Sequence, residues 1–269
     1  MEKQLLNLYK EIFNAKNNTP VWATHKVTLG HENELVHCPI PFVGKNYSAQ
    51  DKKILLYASA ENLSDYYKNG GYLDDDNFAV NRHRNFYNDS VSKNMFFPNV
   101  HIQPINDGVL LIVALYVYQK YCNNDNVTPS EFMERIAFAN YCKYTIQSSE
   151  KNKDYASNAE YLKESHSYIE QDIAVLKPDI IIMPKSIYQI NKKFIDSIKG
   201  SAVIIPIYQI NARNVNLRIK KYPSTEYSKL NSVIAEWYDK LESNGFKGKT
   251  KENFLSVFKY INECISQIE

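Results

Sequence analysis

Paired cysteine motifs are missing from this chain. Its four cysteines, Cys38, Cys122, Cys142 and Cys264, are scattered, with no C-x-x-C and no paired Cys/His spacing. That pattern argues against a zinc or iron–sulfur centre, so no metal and no cofactor is expected. The first residues are charged and amphipathic, so they are not expected to act as a secretory leader. The apolar run Val109–Tyr118 falls short of the ~20 residues that a membrane span needs. Together these absences point to a cytoplasmic protein with reduced thiols and no membrane partner. Internal repeats and low-complexity tracts are also absent. The formal net charge is only +2, so overall charge selects no class of partner.

What is present is more informative. Apolar residues make up 44% of the 269 positions, enough to bury a core and to exclude wholesale disorder. Tyrosine occurs 21 times; it packs like a hydrophobe, stacks on bases and hydrogen-bonds at the rim of a site. Charge is unevenly spread. Between Lys185 and Lys221 stand eight basic residues and one acid, Asp196. Such a stripe on a nearly neutral chain suggests a local polyanion site, with a solvated face as the alternative.

Short apolar runs bounded by polar residues predict strands buried on both faces. They occur at Lys53–Tyr57, from Ile136 to polar residues at Asn140 and Lys143, at Ile180–Met183 and at Ala202–Tyr208. Between them lie helical patterns. Gly108–Tyr121 is apolar nearly all round and reads as a buried helix capped by Asp107. Thr128-Pro-Ser-Glu131 and Ser157-Asn-Ala-Glu160 are capping boxes. The second opens a helix with Leu162, Ile169, Ile173 and Leu176 along its inner face, ended by Lys177-Pro178. A further helix runs over Ser186–Ile198 and stops at Gly200. Glu2–Asn14 is helical with Leu5, Leu8, Tyr9, Ile12 and Phe13 inward; Thr225–Ser243 and Thr250–Ser266 are amphipathic helices. Val21–Pro41 reads as extended, loop-rich chain, and Ser64–Gln103 is the least regular part. This alternation predicts an α/β protein with three layers and a central, mostly parallel four-stranded sheet. One domain spans residues 1–269, with a core over about 53–221 and helical extensions over 1–52 and 222–269.

In a parallel sheet the carboxyl ends of the strands share one edge, where ligands bind. Three predicted strands end in polar residues: Glu61-Asn62, Asn140 with Lys143, and Gln209 through Arg213. Ser59 and Ala60 let a ligand approach the first turn closely. Arg82, His83 and Arg84 could hold a phosphate or another polar ligand. A solvated turn is the plain alternative for each.

The order and spacing resemble the uracil-DNA glycosylase superfamily. The segment Ala137-Phe-Ala-Asn140-Tyr-Cys-Lys143, the helix after it, and Leu176-Lys-Pro-Asp-Ile-Ile-Ile-Met183 carry the resemblance. They are similar to that family's asparagine-ending strand, the following helix, and its "leucine-lysine/arginine-proline" entry to the next strand. Ala58–Leu63 matches the first motif in position, without its usual glycine and proline. Asn211-Ala212-Arg213 stands where His-Pro-Ser is usual, as an asparagine does in the mismatch-directed branch. The resemblance covers about Lys53–Lys221.

It implies a monomeric DNA glycosylase acting on a nucleotide flipped out of duplex DNA, with no cofactor. Catalysis then falls to Glu61, Asn62 and Asn211. Glu61 faces the sugar or orients a water, while Asn62 or Asn211 hydrogen-bonds the leaving base; a one-residue slide exchanges Glu61 and Asn62. Asn140 reads the base edge, and Arg213 fills the gap in the stack. Lys185, Arg218, Lys220 and Lys221 grip phosphates. The polar, aromatic stretch Ser64–Gln103, with Arg82, His83 and Arg84, suits a bulky hydrophilic base. The superfamily includes an anti-phage enzyme that removes α-glucosyl-hydroxymethylcytosine, and phage DNA bearing such bases is the expected partner. A uracil or mismatch repair glycosylase, an enzyme of free nucleosides and a non-catalytic module binding modified DNA are the alternatives.

Overall fold

The computed structural model describes residues 1–15, 40–59, 109–122, 124, 127–143, 159–208, 239 and 249–266. The chain divides into two compact units. One holds Met1–Phe86 and Arg135–Ile204, the other Tyr87–Glu134 and Ile205–Glu269.

The first unit is built on strands β1 (Phe42–Val43), β2 (Ile54–Ala58), β3 (Ala137–Asn140) and β4 (Ile180–Pro184). Strand β5 (Val203–Ile207) begins in this unit, and the sheet order is β1-β3-β2-β4-β5. Strand β2 pairs parallel with both β3 and β4, whereas β1 pairs antiparallel with β3. Among the described residues the sheet therefore has five strands, where four were expected. The extra one is the two-residue β1, paired as Phe42↔Phe138 and Val43↔Ala137. Two residues carry no readable alternation, so its pairing with β3 alone defines it as a strand. At the other end of the order, β5 contains Pro206. Proline has no N–H for the ladder and is tolerated at a sheet margin.

Strand β2 is buried on both faces, as its apolar run requires: Ile54, Leu55, Leu56 and Tyr57 are all inaccessible. Its two sides enter different surroundings. Leu55 and Tyr57 join Ala137, Ala139, Tyr141, Ile181 and Met183 in one core, while the intervening residues face the opposite way. That core also takes in residues of four helices: α1 (Glu2–Ala15), α4 (Ala159–Glu164), α5 (His166–Leu176) and α6 (Lys185–Ile198). Helix α1 packs on α5 through Leu5, Leu6 and Tyr9. Leu6 completes this inner face in place of Leu8, which is half-buried.

The segment expected to form one helix before Lys177 is instead two, α4 (Ala159–Glu164) and α5. The break falls at Ser165, whose hydroxyl accepts the Lys143 backbone N–H at 2.9 Å. Helix α5 ends at Lys177, a left-handed residue with φ 47° whose N–H bonds the Ile173 carbonyl. Asn191 interrupts α6 with non-helical dihedrals. Its side-chain NH2 donates to the Ile187 carbonyl, and its Oδ1 accepts from His166 Nε2–H, 2.8 Å away.

The second unit contains helices α2 (Val109–Cys122), α3 (Pro129–Met133) and α7 (Lys249–Ser266). Residues 113–119 of α2 are buried without a polar face, matching the apolar run. Helix α7 packs on α2: Phe258 meets the Tyr116 ring edge-on, and Asn262 accepts from the Tyr116 hydroxyl at 2.9 Å. Helix α3 carries the expected capping box, with Thr128 and Glu131 exchanging side-chain and backbone bonds. The expected helix over 225–243 and the caps Asp107 and Ser157 lie outside the described residues.

Gly200 follows α6 with φ +58°, and nothing stands within 4 Å of the Cβ it lacks. Substitution there is limited by backbone strain rather than by space. Gly200→Ala is expected to lower stability by about 1 kcal/mol, and Gly200→Asn by less, measured by urea denaturation.

Candidate functional site at the carboxyl edge of the sheet

Because β3, β2 and β4 run parallel, their carboxyl ends lie along one edge. Ala58 and Asn140 are register partners at that edge. The chain leaving β3 continues against the chain leaving β2: Tyr141 N–H donates to the Ala58 carbonyl and Cys142 N–H to the Ser59 carbonyl, both at 2.9 Å. Ser59 and Asn140 are thereby brought together. On the far side of β2, β4 ends at Pro184 and Lys185 opens α6.

Asn140 is 6% exposed, yet among the described residues nothing hydrogen-bonds its amide. A carboxamide offers an acceptor and two donors. Held at a strand end with those groups uncommitted, it can read a planar ligand edge presenting the complementary pattern. Ser59 is half-buried beside it.

Behind this edge, on the other face of the sheet, lies a buried polar cluster. Asp172 of α5 accepts from Tyr9 Oη at 2.6 Å, Tyr57 Oη at 3.0 Å and Lys143 Nζ at 2.6 Å. Lys143 and Asp172 are both fully inaccessible to solvent. The ammonium also stands 5.5 Å from the Tyr9 ring centroid and 5.4 Å from that of Tyr57, a cation–π arrangement in a dry site. Burial pushes the Asp172 carboxyl above its ordinary range, and Lys143 and the two tyrosine hydroxyls pull it back. Burial and the neighbouring carboxylate drive the Tyr57 hydroxyl well upward, so it stays a donor. Tyr141 packs edge-on against Tyr57, but among the described residues its buried hydroxyl has no hydrogen-bond partner.

Of the residues expected to form a site, Ser59, Asn140 and Lys185 lie within the described structure. Ala60, Glu61, Asn62, Arg82, His83, Arg84, Asn211, Arg213, Arg218, Lys220 and Lys221 lie outside the described residues. Lys143 was expected beside Asn140 as a strand-end group for chemistry. Instead it turns to the opposite face and is consumed by Asp172. Asp172 itself escaped notice, though its signal was present. It falls between Ile169, Ile173 and Leu176 on the inner face of α5, where the helical period calls for an apolar side chain. Among the described residues no three His, Cys, Asp or Glu side chains gather as metal ligands. No described helix is long and apolar enough to cross a membrane.

Comparisons with protein-family models, with curated proteins and with solved structures find no match.

The cluster predicts unequal effects of removing single atoms. Tyr9→Phe and Tyr57→Phe each delete a bond to a buried charge and are expected to cost about 1.5–3 kcal/mol. Tyr141→Phe deletes an unpaired hydroxyl and is expected to be neutral or stabilising.

Lys143→Met leaves a buried carboxylate without its cation, at a cost of about 3–5 kcal/mol near neutral pH. The pH dependence follows from linkage. Without Lys143 the folded carboxyl binds its proton still more tightly than the unfolded one, whose pKa is about 3.9. Stability of the variant then falls as pH rises from there through the raised folded value. The gap between wild type and Lys143→Met is therefore expected to be smaller at pH 4.5 than at pH 8, measured by thermal unfolding at both.

Proposed function

We propose that this chain is a DNA glycosylase of the uracil-DNA glycosylase type, with a three-layer α/β fold, acting on a modified pyrimidine in phage DNA. The observation that carries the reading is Asn140. It ends a parallel strand, is in register with Ala58, and keeps its amide uncommitted at the sheet edge where an α/β fold receives ligands. Its neighbours in sequence are those that resemble the family's asparagine-ending strand. A carboxamide at that place suits the polar edge of an extruded base.

In this scheme the bond between C1′ of the deoxyribose and the base nitrogen breaks. Its electron pair leaves with the base, water adds its oxygen to C1′, and the proton that water gives up ends on the departed base. Positive charge grows on the sugar and negative charge on the base, and catalysis consists of stabilising both. Glu61 serves the cationic side and Asn62 or Asn211 the anionic side. Ser59 and Ala60 let the base approach, Asn140 orients it, and Arg82, His83 and Arg84 meet a hydrophilic substituent such as glucose. Lys185, Arg218, Lys220 and Lys221 hold phosphates, and Arg213 enters the emptied stack. DNA bearing α-glucosyl-hydroxymethylcytosine is the substrate, and an abasic site in the phage genome is the product.

Mass spectrometry of bases released from glucosylated phage DNA, its non-glucosylated counterpart and uracil-containing duplex tests this. Glucosylated base is expected from the first. Asn140→Ala should slow release by about 10²–10³-fold while leaving the unfolding midpoint nearly unchanged. Release of uracil alone would replace the substrate assignment. Tight binding of modified DNA with no abasic sites would instead make the chain a non-catalytic reader.

The basic stripe makes a separate prediction. Neutralising Lys220 and Lys221 to Gln is expected to weaken DNA binding and to flatten the plot of log affinity against log salt by about 0.9 per residue. An enzyme of free nucleosides would show no such change.

A further inference from the structure

We infer that the buried Lys143–Asp172 pair is a positioning device that fixes the Asn140 amide from the opposite face of the sheet. Stability alone is a poor reason for such a pair. Both ions are stripped of water, and an apolar replacement of the whole group is often no less stable. What the pair does achieve is immobility of the chain just past β3. Asn140 is held in the ladder opposite Ala58. Tyr141 and Cys142 donate to the Ala58 and Ser59 carbonyls. Lys143 is tied twice, by its N–H to Ser165 Oγ and by its ammonium to Asp172.

Asp172 is itself held by Tyr9 of α1 and Tyr57 of β2. The tail of β3 is thus referenced to two helices and to the neighbouring strand at once. Alternation along the strand sends Tyr141 to the clamped face and Asn140 to the other. A group held from behind in this way keeps its hydrogen-bonding front free, and a displacement of about 1 Å in such a group can cost 10²-fold in rate. Lys143 and Asp172 are positioning residues here, since neither reaches the ligand edge. The kinetic half of this inference rests on the glycosylase reading; the structural half does not.

The test uses the full-length protein with the cluster made apolar: Tyr9→Phe, Tyr57→Phe, Lys143→Met and Asp172→Leu together. A second variant, Ser165→Ala, removes only the side-chain tie to the Lys143 N–H. Amide hydrogen exchange is followed residue by residue. Exchange at Tyr141, Cys142 and Lys143 is expected to quicken at least ~10-fold while Ile181 and Ile182 stay protected. Ser165→Ala should shift exchange in the same direction by less. On glucosylated DNA, kcat per folded molecule is expected to fall about 10–100-fold with KM within about twofold; the folded fraction is measured alongside by circular dichroism, because loss of folded protein alone would lower apparent kcat at unchanged KM.

Wild-type exchange at those three amides in folded variants overturns the inference, whatever the enzymology. Should the quadruple variant fail to fold, the single variants Tyr9→Phe and Tyr57→Phe, which loosen Asp172 and leave the Ser165 tie in place, decide by the same criterion. Absence of excision by the wild type removes the glycosylase reading and leaves the exchange result to judge the clamp. Quickened exchange with unchanged kcat overturns the positioning role.

Discussion

One carboxylate with no access to water organises the first unit. Asp172 collects a hydroxyl from α1, a hydroxyl from β2 and an ammonium from the chain after β3. These groups come from residues separated by up to 163 positions in sequence. Each bond is satisfied only if all four elements stand in the same relation to one another, because an unpaired member would cost its full desolvation. An apolar core of similar volume could be filled in several ways. A buried charge that needs three donors accepts far fewer arrangements. The cluster therefore restricts alternatives more than it adds stability.

Much of this architecture can be read from local chemistry. Strands β2, β3 and β4 appear as short apolar runs because both of their faces are buried, and the half-buried β5 also falls where such a run is found. The Thr128 capping box, the stop at Lys177-Pro178 and the turn at Gly200 work within a few residues, so sequence contains the whole interaction. Strand β1 was not legible, since two residues have no period and exist as a strand only through their partner. The break at Ser165 was hidden for a similar reason: the N–H that its hydroxyl accepts comes from Lys143, which helical periodicity within 159–176 cannot reveal.

The candidate site divides along the same line. Asn140 could be proposed because it ends an apolar run, a local signal. Lys143 was misjudged because the same logic credited a polar residue after a strand to the ligand edge. Its partner lies 29 residues on, across a helix break. The carboxylate that claims it was visible only as a flaw in an apolar stripe. A charged residue on the inner face of a helix is a demand for an opposite charge elsewhere. Reading Asp172 in that way would have removed Lys143 from the candidates.

The parity of β3 joins these two findings. A strand sends successive side chains to opposite faces, so Tyr141 and Asn140 cannot both face the clamp. With Tyr57 and Tyr141 packed edge to face on one side, Asn140 must lie on the other. A slip of one residue between β2 and β3 would carry Asn140 into the core and Tyr141 out of it. It would also draw Lys143 away from Asp172, leaving two ions buried and unpaired. The buried pair adds to the penalty against that slip, because on the clamped face of β3 only the alanines at positions 137 and 139 stand to define register. On that face the strand is a weak ruler. The Lys143–Asp172 bond supplies the missing mark, and it thereby decides which side of the sheet the Asn140 amide faces.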